Sequence, residues 1–251
     1  RLLVFDDISE VVSAQRARAW GEVARRLAHE IKNPLTPIQL SAERLAHKLA
    51  GKLPEAESQM LDKAVATIVD QVQAMKRLVN EFRDYARLPR ADLKPLDLNA
   101  LITDVLALYE SGEGARSVPV RAELDAASPR ILGDAQQLRQ VIHNLLQNAQ
   151  DATEAAGRSA PVIIRTQTLQ AEDGLHRVRM TIADSGHGFA DAILQRAFEP
   201  YVTTKAKGTG LGLAVVKKIA DEHGARIDLS NRCENGAACG ALVSLSFKSD
   251  V

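Results

Sequence analysis

Two long segments in the first part of the chain each carry one apolar stripe at heptad spacing. In the first segment the stripe consists of Ala24, Leu27, Ile31, Leu35, Ile38, Ala42, Leu45 and Leu49. In the second segment it consists of Leu61, Val65, Ile68, Val72, Met75, Val79, Phe82 and Ala86. Spacings of three and four residues place such side chains on one face of an α-helix. The pattern therefore predicts two long amphipathic helices.

A short turn with the sequence GKLP, at residues 51–54, separates the two predicted helices. Because a short connection makes neighbouring helices antiparallel, we expect a helical hairpin. Pro34 and Pro37 lie inside the first helix, and we expect them to bend it rather than end it. One hairpin cannot bury both apolar stripes, whereas two hairpins can do so as a four-helix bundle. The sequence therefore predicts a homodimer.

The rest of the chain has a different pattern. We expect the second helix to end at Leu88-Pro89 and residues 90–97 to form a polar linker. Helical patterns follow at 98–109, 134–156 and 213–222, and strand-like patterns at 118–124, 162–169, 177–183, 225–230 and 241–247. Helices mixed with antiparallel strands indicate an α+β sandwich with helices on one face of a sheet. The predicted fold is an all-α hairpin followed by this sandwich.

Composition narrows the classes of partner. Acidic and basic residues balance at 32 each, which argues against nucleic acid or an anionic membrane as the main partner, because both favour a basic surface. No apolar run approaches the roughly 18–20 residues that span a bilayer, and no signal peptide opens the chain. The first residue is arginine rather than methionine. We therefore expect an excised piece, with any membrane attachment made through segments absent from this chain.

His29 lies in the first predicted helix, within the sequence LAHEIKNPL. In the heptad frame set by Ile31 and Ile38 it falls on the outward face, away from the apolar stripe. A nucleotide can approach an imidazole in that position. The neighbouring Glu30 can accept the ring proton and leave the other nitrogen nucleophilic. The alternative is an ordinary surface histidine.

Two polar clusters in the second half of the chain suit a nucleotide. Asn144 and Asn148 are four residues apart in a predicted helix and share a face, and an amide oxygen is a suitable ligand for Mg²⁺ that bridges phosphates. Asp184 follows a predicted strand in the sequence DSGHG. A carboxylate there can accept the exocyclic amine of adenine, while Gly186 and Gly188 let the backbone pass close to the base. Surface asparagines and a simple turn are the alternatives.

A glycine-rich loop at residues 208–212 runs directly into a predicted helix, and its backbone N–H groups can bind phosphate. It lacks the GK[ST] ending of a Walker loop, and no strand leads straight into it as in a Rossmann turn. Lys205 just before the loop can add a positive charge. The candidate phosphate-binding residues are Lys205, Gly208, Thr209, Gly210, Leu211 and Gly212.

Together these motifs resemble the histidine kinase family over residues 14–248. His29, Glu30 and Asn33 resemble its phosphoacceptor box. Further along the chain the N box, G1 box, F box and G2 box are matched by residues 144–149, 184–188, 198–201 and 208–212. Residues 28–45 are most similar to the nitrogen-regulation sensor kinases. The opening residues 3–9 are similar to the end of a PAS sensor domain.

The resemblance implies that ATP phosphorylates His29 and that the phosphoryl group passes to an aspartate of a response regulator. It implies a Bergerat-fold (GHKL) domain in which Asn148 holds Mg²⁺, Asp184 anchors adenine and residues 186–210 form a mobile lid. It further implies that Asn33 supports dephosphorylation of the response regulator. The parent protein would be an inner-membrane sensor with this portion in the cytoplasm. Many members carry a basic residue shortly after the N-box alanine, where this chain has Gln150 and Asp151.

The resemblance divides the chain into the end of a PAS-like domain with a signalling helix at 1–13, a dimerisation and phosphotransfer hairpin at 14–89, a linker at 90–97 and a catalytic ATP-binding domain at 98–251. Two rival functions remain open. A Bergerat-fold clamp ATPase would use a glutamate four residues before the Mg²⁺ asparagine, where this chain has Asn144. A degenerate kinase would act only as a scaffold or phosphatase, which the intact Asn148 and Asp184 disfavour.

Overall fold

The computed structural model describes residues 9–111, 118–170, 176–205, 208–234 and 237–249. Residues 1–8, part of the segment 1–13 that we expect to form the end of a PAS-like domain and a signalling helix, lie outside this described part. The chain divides into two compact units after Leu88. Among the described helices, none combines the length and the apolar character needed to cross a bilayer.

The first unit is a hairpin of two long helices, α1 (Ser9–Leu49) and α2 (Glu55–Arg87), which confirms the predicted all-α hairpin. Pro34 and Pro37 lie inside α1 without ending it. In the turn between the helices, Gly51 has a φ of 70°, a left-handed conformation that glycine adopts without steric cost. The two helices pack against each other.

Each predicted apolar stripe divides into a buried row and an exposed row. The buried row consists of Ala28, Leu35, Ala42, Val72 and Val79. The exposed row consists of Leu27, Ile31, Ile38, Leu45, Ile68 and Met75, all of them at least 39% exposed. Ala28, which the heptad stripe did not include, belongs to the buried row. Heptad spacing identifies an apolar sector of a helix surface, and a single neighbouring helix covers only part of that sector.

The second unit mixes short strands with helices. In chain order its elements are β1 (Lys94–Asp97), α3 (Leu98–Ser111), β2 (Val120–Glu123), β3 (Arg130–Gly133), α4 (Ala135–Ala155), β4 (Val162–Gln170), β5 (His176–Ala183), α5 (Asp191–Leu194), α6 (Gly212–Glu222), β6 (Arg226–Glu234) and β7 (Ala237–Lys248). This content confirms the predicted α+β domain.

The main sheet has the strand order β2-β4-β5-β7-β6. Strand β2 runs parallel to β4, and the other neighbours are antiparallel. A second, two-stranded sheet joins β1 to β3, with Leu96 opposite Ile131. The expectation of a linker over residues 90–97 is therefore wrong for its last four residues, which form β1 within the second unit.

The helices of the second unit pack on one face of the main sheet. Alternate strand residues such as Ile164, Met180 and Leu245 are buried, whereas their neighbours Arg165 and Arg179 are exposed, as the two-residue period of a strand requires. Helix α4 contacts β4, β5 and β7, and α6 contacts α4 and β6. The sandwich core thus lies between this sheet face and the helices.

Candidate functional site

His29 is exposed on α1, as its heptad position predicts. Glu30 is also exposed, but its Oε1 accepts a hydrogen bond from Nε of Arg26, 3.0 Å away. Adjacent helix residues diverge, whereas residues four apart lie on the same face. The carboxylate of Glu30 therefore contacts the preceding turn in this structure. Asn33 is exposed one turn after His29, on the same face.

Helix α4 is held so that its polar face lines the candidate nucleotide site. Oδ1 of Asp134 caps the helix by accepting hydrogen bonds from the backbone N–H groups of Gln136 and Gln137 at 2.9 and 3.1 Å. The apolar face of the helix is fully buried through Leu138, Val141, Ile142, Leu145 and Leu146. With this face fixed in the core, Asn144 and Asn148 remain partly exposed on the other side.

The first cluster at the site joins α4 to the segment before α6. Nζ of Lys205 donates to Oδ1 of Asn148 at 3.1 Å and to Oδ2 of Asp151 at 2.9 Å. Gly212, the first residue of α6, lies against Asn148: a Cβ on this glycine would be 3.5 Å from Nδ2 of Asn148. An amide oxygen, a carboxylate and an ammonium thus meet beside the start of a helix, where backbone N–H groups are free to bind an anion.

The second cluster surrounds Asp184, which directly follows β5 and is 7% exposed. Its Oδ1 accepts hydrogen bonds from the backbone N–H groups of Gly186 at 2.8 Å and Ala241 at 2.9 Å. Within the described residues, no hydrogen bond reaches Oδ2. Burial raises the pKa of this carboxyl above its ordinary value, against the opposing effects of the two N–H donors and of the charges of Arg232 and Lys205. One oxygen is therefore fixed by the backbone, and the other can accept an N–H from a ligand.

Helix α4 also links the two clusters. The loop after Asp184 packs so closely on this helix that a Cβ on Gly186 would lie 2.9 Å from Cβ of Ala152. Ala152 is one turn after Asn148, which corresponds to roughly 6 Å along the helix axis. In addition, the backbone N–H of Ser185 donates to Oγ1 of Thr153, a fully buried residue, at 3.2 Å. Both clusters therefore share one helical wall.

The glycine-rich loop is held closed at its base. The backbone N–H of Tyr201 donates to the carbonyl oxygen of Gly210 at 3.0 Å. Gly210 has a φ of 69°, and a Cβ there would be 2.5 Å from the carbonyl carbon of Tyr201. Oγ1 of Thr209 accepts from the backbone N–H of Leu211 at 3.3 Å. The side chain of Leu211 is fully buried, so only its backbone could serve a ligand.

The predicted site residues are not all brought together. Asn148, Lys205 and Gly212 form one cluster, and Asp184 with Gly186 forms the other. Asn144 lies a turn before Asn148, but within the described residues no hydrogen bond joins it to either cluster.

Sequence reasoning missed four residues that position the site. Asp151 holds Lys205, and Nη1 of Arg158 donates to the carbonyl oxygens of Ser185, Gly186 and Cys239. Asn231 accepts from the backbone N–H of Phe189 at 2.7 Å and donates to its carbonyl oxygen at 2.8 Å. Arg232 donates to the carbonyl oxygen of Asp184 at 3.0 Å. All four hold backbone or a single side chain, and such contacts leave no periodic signal in a sequence.

Two family models match the chain. Residues 19–90 match the His kinase A (phospho-acceptor) domain, and residues 133–250 match the histidine kinase-, DNA gyrase B- and HSP90-like ATPase. The two matched segments contain His29 and both clusters of the site.

Curated relatives extend the similarity over nearly the whole chain. It is 39% identical to the nitrogen regulation protein NtrY of Azorhizobium caulinodans, over 99% of this chain and 31% of that protein. It is 37% identical to a putative NtrY-like sensor histidine kinase of Rickettsia felis, over 91% of this chain and 36% of that protein. The chain therefore spans about a third of the length of these relatives.

Solved structures resemble both units. Full-length ShkA in complex with AMPPNP matches with a TM-score of 0.65 and 27% identity, over 91% of this chain and 46% of ShkA. Histidine kinase ThkA in complex with the response regulator protein TrrA matches with a TM-score of 0.61 and 25% identity, over 97% of this chain and 68% of that chain. These likenesses agree with the two family matches and with the hairpin and sandwich described above. The chain belongs to the sensor histidine kinases of two-component systems.

Proposed function

We propose that this chain phosphorylates itself on His29 from ATP and passes the phosphoryl group to an aspartate of a response regulator. One observation carries the proposal. The loop that holds the open oxygen of Asp184 packs on Ala152 of α4, and the contact between Asn148 and Lys205 lies one turn earlier, beside the start of α6. A nucleotide needs one anchor for its base and another for its phosphates, and the two clusters supply both on one wall.

We assign the base to the Asp184 cluster and the phosphates to the Asn148 cluster. Oδ2 of Asp184 would accept the exocyclic amine of adenine, with Gly186 and Gly188 allowing close approach of the backbone. Oδ1 of Asn148 would bind Mg²⁺, which neutralises phosphate charge when bound. Lys205 and backbone N–H groups at the start of α6 would contact the phosphates. The N–H groups of Gly208 and Leu211 donate within the loop itself. Asn144, which joins neither cluster, is the weakest of the predicted nucleotide contacts.

The chemistry at His29 requires a nucleophilic ring nitrogen. In the proposed reaction this nitrogen forms the bond to the γ-phosphorus, the bond from phosphorus to the β–γ bridging oxygen breaks, and ADP leaves. The proton of the other ring nitrogen passes to Glu30, which must exchange part of its contact with Arg26 to accept it. Breaking the exposed ion pair of Arg26 and Glu30 costs little free energy, since exposed ion pairs typically contribute only about 0–1 kcal/mol to stability.

The phosphoryl acceptor is proposed to be an aspartate in the receiver of a response regulator. The solved ThkA complex supports this partner class, because that kinase was crystallised with a response regulator protein. Similarity to NtrY supports a role in nitrogen regulation. We propose a cytoplasmic location for this portion of a membrane-anchored sensor, because ATP and receiver proteins are its substrates. Balanced charge supports neither nucleic acid nor a lipid surface as the partner.

The exposed row of the hairpin supports a homodimer. Ile31, Ile38 and Leu45 repeat every seven residues along α1 with 39%, 47% and 51% of their surface open, and Met75 of α2 is 47% open. A cavity lined by Pro37, Ile38, Ser41, Ala42, Leu45 and Ile68 lies along the same row. A monomer with a contiguous apolar stripe of this kind would expose a surface that soluble proteins normally cover. A second hairpin packed on the row would complete a four-helix bundle.

A clamp ATPase is the remaining rival from the same ATPase superfamily. Such enzymes need a water-activating carboxylate, and position 144, four residues before Asn148, carries an amide instead. The match to the phosphoacceptor domain over residues 19–90 also favours transfer to protein over transfer to water.

We predict that His29→Gln abolishes self-phosphorylation while ADP affinity stays within about twofold of the wild type. His29 belongs to the first unit, and both nucleotide clusters belong to the second. The measurements are incorporation of label from γ-labelled ATP and calorimetric titration with ADP. His47→Gln, which removes another exposed histidine from the same helix, should retain full label. Label that persists on the His29 variant would overturn the assignment.

We predict that Asp184→Asn lowers ADP affinity by roughly ten- to a hundredfold, the usual effect of losing a charge-assisted hydrogen bond of about 1.5–3 kcal/mol. A pH titration of ADP binding gives a second readout. Because burial raises the pKa of Asp184, protonation of this carboxyl should weaken wild-type binding as the pH falls, at a higher pH than for an ordinary aspartate. The variant should lack this pH-dependent step. The control is Asp228→Asn, because Asp228 is an exposed residue on β6. Equal affinity of the wild-type chain for ATP and GTP would contradict the adenine contact.

We predict that Ile38→Glu weakens dimerisation by at least about a hundredfold, because each dimer would bury two unpaired carboxylates. Light scattering over a dilution series measures the mass. Leu40→Glu is the matched control: this leucine is 53% exposed on the same helix but lies outside the exposed row. A wild-type chain of single-chain mass, or an Ile38 variant that stays dimeric, would count against the bundle.

We propose that Asn33 positions water for dephosphorylation of the receiver. Its side chain is exposed on the face of His29, and within the described residues no hydrogen bond engages it. The alternative role, a hydrogen bond to backbone groups that Pro34 leaves unpaired, therefore has no support. Asn33→Ala should therefore lose receiver dephosphorylation while it keeps most self-phosphorylation. The decay rate of a phosphorylated receiver measures this. Equal acceleration of decay by variant and wild type would leave Asn33 without that role.

A further inference from the structure

Lys205 places its charge on the oxygen that we assign to the metal. Its Nζ lies 3.1 Å from Oδ1 of Asn148 and 2.9 Å from Oδ2 of Asp151. Asn148 and Asp151 are three residues apart on α4, so their side chains lie on the same face. The side chains of Lys205 and Asp151 are 39% and 34% exposed, so the pair is shielded in part from water. An ammonium therefore sits between an amide oxygen and a carboxylate.

Hydrogen bonds and close contacts hold the backbone around Lys205 in a tight turn. The N–H of Lys205 donates to Oγ1 of Thr203 at 3.1 Å, and the N–H of Gly208 donates to the carbonyl oxygen of Lys205 at 3.0 Å. A Cβ on Gly208 would lie 2.5 Å from Oγ1 of Thr203 and 2.9 Å from Cβ of Lys205. This turn has no room for a larger residue at 208. The position of Lys205 is therefore set by its own backbone as well as by Asp151.

The ammonium and a divalent metal compete for Oδ1 of Asn148, because two cations at one oxygen repel each other. We therefore expect a metal–nucleotide complex to displace Lys205 from Asn148. The phosphates of the nucleotide then offer Lys205 a new anionic partner, and Asp151 competes with them for it. The carboxylate of Asp151 thus determines how readily Lys205 leaves its resting position.

We propose that Asp151 is a positioning residue that holds Lys205 over Asn148 in the nucleotide-free chain, so that Lys205 serves as a built-in cation which the metal–nucleotide complex displaces. This inference rests on the proposed nucleotide site. It makes Lys205 a partial substitute for Mg²⁺, because the same ammonium can neutralise phosphate when the metal is absent. It also makes Asp151 an inhibitor of metal-free nucleotide binding, because it retains that ammonium.

The test is ADP affinity measured by calorimetry with Mg²⁺ and with a chelator in its place. Lys205→Met should weaken metal-free binding by about fivefold or more, and Asp151→Asn should tighten it by about fivefold, the scale of a partly exposed ion pair. The opposite directions of the two changes in ADP affinity distinguish this proposal from a purely structural ion pair. An ion pair that only stabilises the fold would respond in the same direction to the loss of either partner, and that result would overturn the proposal.

A double variant separates the release of Lys205 from simple repulsion between Asp151 and phosphate. On the Lys205→Met background, Asp151→Asn should change metal-free ADP affinity by less than about twofold. Undiminished tightening on that background would mean that Asp151 acts on phosphate directly and would overturn the proposal. The exposed i,i+4 pair of Lys217 and Asp221 on α6 supplies the matched controls Lys217→Met and Asp221→Asn, both expected to leave ADP affinity unchanged.

Limited subtilisin digestion of the nucleotide-free chain tests the resting contact without any nucleotide. Cleavage within residues 201–210 should accelerate severalfold in Asp151→Asn and Lys205→Met and stay unchanged in the two control variants. Unchanged cleavage in both site variants would refute the resting contact. Complete absence of ADP binding by the wild-type chain would instead refute the proposed nucleotide site, so the two failures are distinguishable.

Discussion

Helix α4 is anchored in the core by Leu138, Ile142 and Leu145, which are almost completely buried, and close packing of such side chains opposes rotation of the helix. Everything proposed for the second unit depends on that packing. The apolar face fixes which side of the helix is polar, and the Asp134 cap fixes where the helix begins. Asn148 and Ala152 consequently stand one turn apart on a rigid wall, and the loops that carry Lys205 and Asp184 close onto it. Preorganised side chains of this kind lose little conformational entropy when a ligand binds.

The two clusters on this wall stabilise charge in different ways. Asp184 is buried and ionisation is costly there, so backbone N–H groups stabilise one oxygen while the other stays open to a donor. In the Asn148 cluster, which we propose to bind phosphate and metal, the ammonium of Lys205 and the carboxylate of Asp151 balance each other's charge. Shortly after the N-box alanine, where members of the family often have a basic residue, this chain has Gln150 and Asp151, and the nearby cation is Lys205, just before the glycine-rich loop.

The sequence was sufficient for much of this architecture. Heptad spacing predicted the hairpin, and alternation predicted strands of the main sheet. The close approach of Gly186 to Ala152 was not predicted, because the glycines of this loop were assigned to the base of a nucleotide. Prediction from the sequence failed where the outcome depends on which other segment of the chain a residue contacts, because a periodic pattern does not contain that information. The stripe could not show that Ala28 packs inside one hairpin while Ile38 stays exposed. Strand β1 has the sequence KPLD, in which apolar and polar residues do not alternate, so it gave no strand pattern. The contacts of Arg158, Asn231 and Asp151 arise only when distant segments meet.

The proposed reaction is transfer of a phosphoryl group from ATP to the imidazole of His29. The most direct test is to incubate the wild-type chain with γ-labelled ATP and Mg²⁺, and then to divide the protein between acid and alkali before mapping the label by peptide mass spectrometry. Phosphohistidine is lost in acid and kept in alkali. Our account predicts acid-labile, alkali-stable label confined to the peptide that contains His29. Acid-stable label, or release of inorganic phosphate without labelled protein, would contradict it.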